Sequence, residues 1–340
     1  MKIYDDRKLI YSKNGYFNAR DIIRSGYNFI FITGARGTGK TYSTLKYLIE
    51  NSIPFIYLRR TQNESDLQAN PTTSSLTKIL MASKVDYDFK KLSGKVGVIL
   101  VNEKPLIYTC ALSTFSTIRG IDFLGVEVAV YDEFIPEAHV RSFKAEGMAL
   151  NNFYESVNRN RELEGNPALK LIGLSNSLNI ANDVFMTFNL VIPAELLTND
   201  PVNEIYTEGD KMLILMKDSP ISKKKKETML YKNASDEYNA MAIDNKFILN
   251  DFTYVKKQNL KEYKILMQIG DLFIYKHKSN HYYYVTFVKA ETKKIYTSST
   301  ADRERFRRAE WRYYVRYLDG YVYFDSYNAL SLFEKYFDKR

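Results

Sequence analysis

The chain has 340 residues, of which 45% are hydrophobic and 14% aromatic, room for one large domain or two ordinary ones and too much apolar matter for a disordered chain. Forty-nine Lys and Arg against 40 Asp and Glu leave a net charge of +9, an excess that suits a polyanionic partner without establishing one. A lone cysteine, Cys110, excludes internal disulfides, and neither a signal peptide nor a run of ~20 apolar residues suited to a bilayer is seen, so a soluble intracellular protein is expected.

From about Asn28 to Asn176, short β-rich apolar runs alternate with helix-length stretches. NFIFIT, PFIYLRR, PLIYTCAL, VEVAVYDE and LKLIGLSN read as buried strands, and TYSTLKYLIENS and LNNFYESVNRNREL as helices. KMLILMK, at 211–217, reads as a last strand of the same body. The alternation predicts an α/β domain over residues 1–217, a parallel sheet covered by helices. At SPISKKKKETMLYKNASDEYNA the pattern stops, and residues 218–250 are expected to be a linker or lid. Its four consecutive lysines suit either a solvated face or a contact with phosphates.

Beyond about Asp251 come the alternating segments KILMQI, DLFIYKH, HYYYVTFV and KKIYTSS, then a basic helix-like stretch, RERFRRAEWRYYVRYL, and GYVYFDSYNALSLFEKYF. A small α+β domain over residues 251–340 is expected. Arg303, Arg305, Arg307, Arg308, Arg312 and Arg316, interleaved with Phe306, Trp311, Tyr313 and Tyr314, suit phosphate contacts, while the aromatics at helical spacing suit a core more than stacking platforms. His277 and His281 fall in a hairpin-like stretch without a Cys or acidic companion, so no metal is expected there.

Gly34, Ala35, Arg36, Gly37, Thr38, Gly39, Lys40 and Thr41 satisfy G-x-x-x-x-G-K-[ST] between a predicted strand and a predicted helix. The glycines let the backbone fold into a nest of N–H groups facing phosphates. Lys40 then reaches the β and γ phosphates of a nucleoside triphosphate, and Thr41 offers a hydroxyl to Mg²⁺. About ninety residues on, VEVAVYDEF delivers Asp132 and Glu133 at the end of an apolar strand. Asp132 suits the metal site as the Walker B carboxylate, and Glu133 is placed to orient or deprotonate the attacking water. LKLIGLSN ends on Ser175 and Asn176; Asn176 suits a γ-phosphate sensor or a helix cap. Arg36, Arg119, Arg159 and Arg161 are candidates for insertion into a neighbouring subunit's site, with surface ion pairs as the alternative.

GARGTGKTY, FIYLRRT, IRG before VYDEFI, NRNRE and LIGLSNS, in that order, resemble the DNA-packaging ATPases of small podophages, compact relatives of the large terminase subunit. AIDNKFI and YVYFD resemble the C-terminal half of the same family. The resemblance implies a P-loop NTPase of the ASCE type followed by an RNase H-like domain. It implies ATP and Mg²⁺ at Lys40, Thr41 and Asp132, Glu133 as catalytic glutamate, Arg159 acting in trans and Arg119 as a second basic trans residue. It further implies a homomeric ring, typically a pentamer, docked on the portal of a procapsid in the cytoplasm of the infected bacterium, with double-stranded DNA in its channel; whether a structural RNA takes part is left open.

The departure from the terminase pattern lies in the second domain. Two-metal cleavage needs carboxylates converging on ions ~3.5 to 4 Å apart. KILMQI has no aspartate, Asp271 falls in the turn after it, and Asp302, Asp319 and Asp325 are scattered, so a nuclease-inactive domain binding DNA or the portal is expected. The alternatives are a P-loop phosphotransferase for a small substrate, which would not need Glu133, and a nucleotide-dependent nucleic-acid-binding or capsid-assembly factor. A helicase is a further option within the motor class.

Overall fold

Residues that alternate between buried on both faces and helix-forming have one economical arrangement, a sheet with helices on each side, and the chain adopts it. The computed structural model describes residues 1–123, 125–136, 145–176, 179–180, 182–217, 219–233 and 254–337. Most of the lysine-rich stretch's C-terminal half, the AIDNKFI segment and Ser177 lie outside them. The chain divides into two compact units, Met1–Asn179 with Leu196–Ile248, and Ile180–Glu195 with Leu249–Arg340.

The first unit is built on ten strands: β1 (Lys2–Tyr4), β2 (Phe29–Gly34), β3 (Phe55–Arg59), β4 (Tyr87–Ser93), β5 (Val96–Val101), β6 (Lys104–Ala111), β7 (Val128–Asp132), β8 (Lys170–Ser175), β9 (Ile205–Glu208) and β10 (Lys211–Met216). Their order is β1-β9-β10-β2-β8-β7-β3-β6-β5-β4. The six expected strands, β10, β2, β8, β7, β3 and β6, pair in parallel as the centre of the sheet. Antiparallel strands that the apolar pattern does not separate, β9 with β1 and β5 with β4, extend the two edges. β8 stands between β2 and β7, so the strand ending in the phosphate loop and the strand ending in Asp132 are not neighbours. Ile30, Ile32, Val130, Ile172, Leu174 and Ile214 fill one core face beneath the helix Lys40–Glu50, each removed from water for roughly 1.5 to 3 kcal/mol.

The second unit carries five strands, β11 (Tyr263–Ile269), β12 (Leu272–His277), β13 (Tyr283–Thr286), β14 (Ile295–Tyr296) and β15 (Val322–Phe324), in the order β14-β11-β12-β13-β15. β11, β12 and β13 form an antiparallel meander, and the outer strands pair in parallel with β11 and β13. Alternation along β12 sends Leu272 and Ile274 into a core with Phe306, Phe324 and Phe333, and Phe273 and Tyr275 to the other face with Tyr263 and Tyr284.

One expected element is corrected here. RERFRRAEWRYYVRYL is not a single helix but two, Thr300–Ala309 and Trp311–Leu318, broken at Glu310, which has φ −117° and ψ 17°. Glu310 is buried, 1% exposed, and its carboxylate accepts from Tyr296 Oη at 3.0 Å and from Lys294 Nζ, so a local break is held by a buried charge network. Of the aromatics whose spacing suits a core, Phe306 and Tyr313 are buried, while Trp311 is exposed.

Candidate nucleotide site

β2 leads the chain into the phosphate loop at the C-terminal edge of the parallel strands, the edge where open α/β sheets bind ligands. Gly37 and Gly39 have φ of +68° and +89°, left-handed conformations that glycine adopts without strain and that turn the loop's N–H groups inward. The helix Lys40–Glu50 starts directly behind. Lys40 is buried, and its ammonium donates to the carbonyls of Gly34 at 2.7 Å and Ala35 at 2.9 Å and to Thr38 Oγ1 at 3.2 Å. Burial pushes this ammonium down to about 7; Asp132 opposes the shift and Lys225 adds to it. The amino-terminal segment supports the loop, the Phe17 amide donating to the Thr38 carbonyl at 2.9 Å.

Two strands and a helix meet at Asp132, which ends β7: Tyr57 and Arg59 come from β3 and Thr41 from the helix Lys40–Glu50. Thr41 Oγ1 donates to its Oδ1 at 3.0 Å, while Oδ2 accepts from Tyr57 Oη at 2.7 Å and from Arg59 Nη1 at 3.0 Å. Arg59 also reaches Glu133, Nη2 to Oε2 at 2.5 Å, and so spans both carboxylates. Burial works against the Arg59 charge, yet Tyr57, Asp132 and Glu133 together hold its pKa above the ordinary value. Tyr57 is driven well above the usual phenol range by burial and then by Asp132, which keeps it a donor. Glu133 has φ +56° and is half-buried. A non-glycine residue in the left-handed region at the mouth of a charged site is the strain pattern associated with function.

Behind this cluster runs a buried pair that sequence reasoning missed. Arg60 meets Glu146 in bidentate fashion, Nε to Oε1 at 2.9 Å and Nη2 to Oε2 at 2.8 Å, and Tyr131 donates to the same carboxylate. It fixes the helix Glu146–Asn158 to β3 and β7. Ser175, at the tip of β8, donates to the Ile135 carbonyl at 3.3 Å, and Asn176 follows it half-buried. The next helix, Asp183–Thr187, is capped by Asn182, so Asn176 is not its cap.

Arg159 follows the helix Glu146–Asn158 with φ +48° and ψ −134°, is exposed, and pairs with Asp122 at 3.6 Å. Arg119 is exposed in the turn after the 3-10 helix Leu112–Thr117. Arg36 is half-buried within the loop, and its carbonyl accepts from Lys225 Nζ. In the second unit Asp271 lies in the turn between β11 and β12. Asp302 is occupied by the Thr297 amide at 2.8 Å, and Asp325 by Thr286 at 2.5 Å and the Phe287 amide at 3.1 Å. The hairpin expected around His277 is present, but Glu262 stands 3.6 Å from His277, an acidic neighbour that sequence proximity does not suggest.

A glycine-rich nest ahead of a helix, a lysine within it, and a hydroxyl and carboxylate paired across the strand ends define the class, an α/β protein built around a P-loop. The pattern of the podovirus DNA encapsidation protein family (Gp16) matches residues 11–337, and the chain belongs to that family. It is 26% identical over 335 residues to the DNA packaging protein of Bacillus phage PZA, covering 92% of this chain and 94% of that one. The DNA packaging protein of Bacillus phage phi29 is 25% identical over the same shares. In fold it is similar to the Phi-28 gp11 DNA packaging motor, with TM-score 0.67 and 18% identity over 96% of this chain and 99% of that chain. The chain of the bacteriophage Phi-29 viral genome packaging motor assembly gives TM-score 0.63 and 22% identity over 94% and 99%. Among the described residues no helix is long and apolar enough to cross a membrane.

Proposed function

We propose that this chain is an ATP-driven translocase that moves double-stranded DNA into a phage procapsid, working as a homomeric ring on the portal in the cytoplasm of the infected bacterium. The observation that carries the proposal is the convergence of Lys40, Thr41, Asp132 and Glu133 at one edge of the sheet, in a member of the encapsidation family. β8 inserted between the P-loop strand and the Asp132 strand supports the ASCE assignment.

In this reading residues 34–41 cradle the phosphates, with Lys40 turning from the loop carbonyls to the β and γ oxygens. Thr41 and Asp132 fit Mg²⁺, a hard cation that takes a hydroxyl and a carboxylate and completes its shell with water and phosphate oxygens. When bound, that ion neutralises charge on the β and γ phosphates. Glu133 orients and deprotonates the attacking water. Arg59 competes with water for that carboxylate, so hydrolysis requires Arg59 to release Glu133. Asn176 stands at the strand tip suited to sense the γ phosphate. Arg159, exposed and held in a strained backbone conformation, acts across the subunit interface, with Arg119 as a second such residue.

We assign the second unit to binding, as an RNase H-like domain without nuclease activity. A phosphotransferase acting on a small molecule remains the second reading of the P-loop, and the position of Glu133 beside Asp132 favours hydrolysis over it. Multiple-turnover ATP hydrolysis that rises with double-stranded DNA at low salt is the expected result. Turnover that ignores DNA in assembled rings while a small hydroxyl substrate is phosphorylated would overturn the proposal.

A further inference from the structure

The four-lysine run contributes a side chain to the phosphate loop. β10 runs beside β2 in parallel register, Met216 opposite Gly34, so the chain leaves the sheet next to the loop. It is then pinned: Ser219 is buried and donates to the Gly15 carbonyl at 3.1 Å, and a Cβ on Gly15 would stand 2.9 Å from Pro220 Cβ. The helix Pro220–Lys226 therefore has a fixed origin, with Ile221 and Ser222 buried and Lys224 exposed. Its Lys225 is half-buried and aimed at the loop. The ammonium donates to the Arg36 carbonyl and lies 2.7 Å from the point where a Cβ on Gly37 would be.

Lys40 rests on the carbonyls of Gly34 and Ala35, so the two ammoniums share the opening half of the loop, and the charge of one is felt at the other. Bringing two cations together on a loop of backbone dipoles is unfavourable until an anion lies between them. Lys40 is the residue that reads the β and γ phosphates in such loops. A second ammonium beside it, on a flexible four-carbon stem, is within reach of the same end of a triphosphate.

We propose that Lys225 is a second lysine of the nucleotide site, acting within its own subunit, which leaves the Arg36 carbonyl for the terminal phosphate of a bound nucleoside triphosphate and has no such partner in the diphosphate. The inference rests on the nucleotide-hydrolysis reading above. Lys225 makes no covalent step; it positions the terminal phosphate and ties the helix Pro220–Lys226 to the nucleotide state.

The test is the affinity of full-length protein for ATP and for ADP in a Glu133→Gln background, where ATP persists, by competition with a fluorescent nucleotide. Lys225→Ala should weaken ATP by roughly tenfold, the worth of one charge-assisted contact, and ADP by less than about twofold. Lys225→Arg should retain part of the preference, and Lys224→Ala should leave both affinities unchanged. Equal weakening of ATP and ADP by Lys225→Ala would reduce Lys225 to a prop for the loop and overturn the proposal, as would no change in either. A Lys225-intact protein that binds neither nucleotide would instead overturn the nucleotide reading itself.

Discussion

Both units place charged side chains among aromatic and apolar ones, yet they use them in opposite ways. In the first unit Tyr57 and Arg59 from β3, Asp132 from β7 and Lys40 from the start of the helix Lys40–Glu50 are buried close together at one edge of the sheet. In the second, Asp302 serves the start of its helix, Asp325 binds the chain after β13, and Glu310 is buried under Lys294 and Tyr296. The first arrangement gathers groups from separate elements at one point; in the second, Asp302, Asp325 and Glu310 are each held by their own partners. Charge content therefore does not locate a catalytic centre. Convergence at the carboxyl ends of parallel strands does.

The largest effects are expected at the loop. Lys40→Ala should remove ATP hydrolysis to background and nucleotide binding with it, read by turnover and by fluorescent-nucleotide titration. Arg159→Ala should bind ATP normally and hydrolyse it roughly 10³-fold more slowly, the scale of an arginine supplied in trans. Mixing those subunits with Lys40→Ala subunits, which still donate Arg159, should restore part of the rate; demonstrated mixed rings without restored turnover would contradict the trans role. Glu146→Gln strands the buried Arg60 guanidinium and should cost the first unit about 3 to 5 kcal/mol in denaturant unfolding. A loss under ~1 kcal/mol would show that the pair does not anchor the site.

Effects in the second unit should be smaller and of a different kind. Replacing the exposed Arg308, Arg312 and Arg316 with Ala should flatten the salt dependence of DNA binding, by about 0.9 in the log–log slope for each phosphate that is no longer neutralised. Asp271→Ala should change nothing in a prolonged incubation with plasmid and Mn²⁺, because the parent protein should not cut; clean cleavage that disappears in that variant would reverse the contrast between the units.

Much of the first unit was legible because its strands are buried on both faces and write themselves as unbroken apolar runs such as FIFIT and VAVYD. The edge strand β4 was not, since YDFKKLS carries charges on an exposed ribbon and borrows its order from β5. The loop from Gly34 to Thr41 and the Asp132–Glu133 pair were legible because their spacing is itself the chemistry. Arg59, Arg60 and Glu146 were not: a buried ion pair between residues 86 positions apart leaves no local signal, and both arginines end a strand as surface charges would. The four-lysine run suits a phosphate contact in sequence, but nothing local singles out Lys225, whose contact with the Arg36 carbonyl depends on where β10 releases the chain. The break at Glu310 was hidden because its partners Lys294 and Tyr296 arrive from another element.

We propose that hydrolysis at the first unit's converged site drives DNA into a capsid. The direct measurement is DNase-protected DNA accumulated by procapsids carrying the cognate portal, given ATP and either the native protein or Glu133→Gln. Protected genome-length DNA with the native protein and none with Glu133→Gln, despite retained nucleotide binding, is the predicted result. Equal protection by the two proteins would contradict the account.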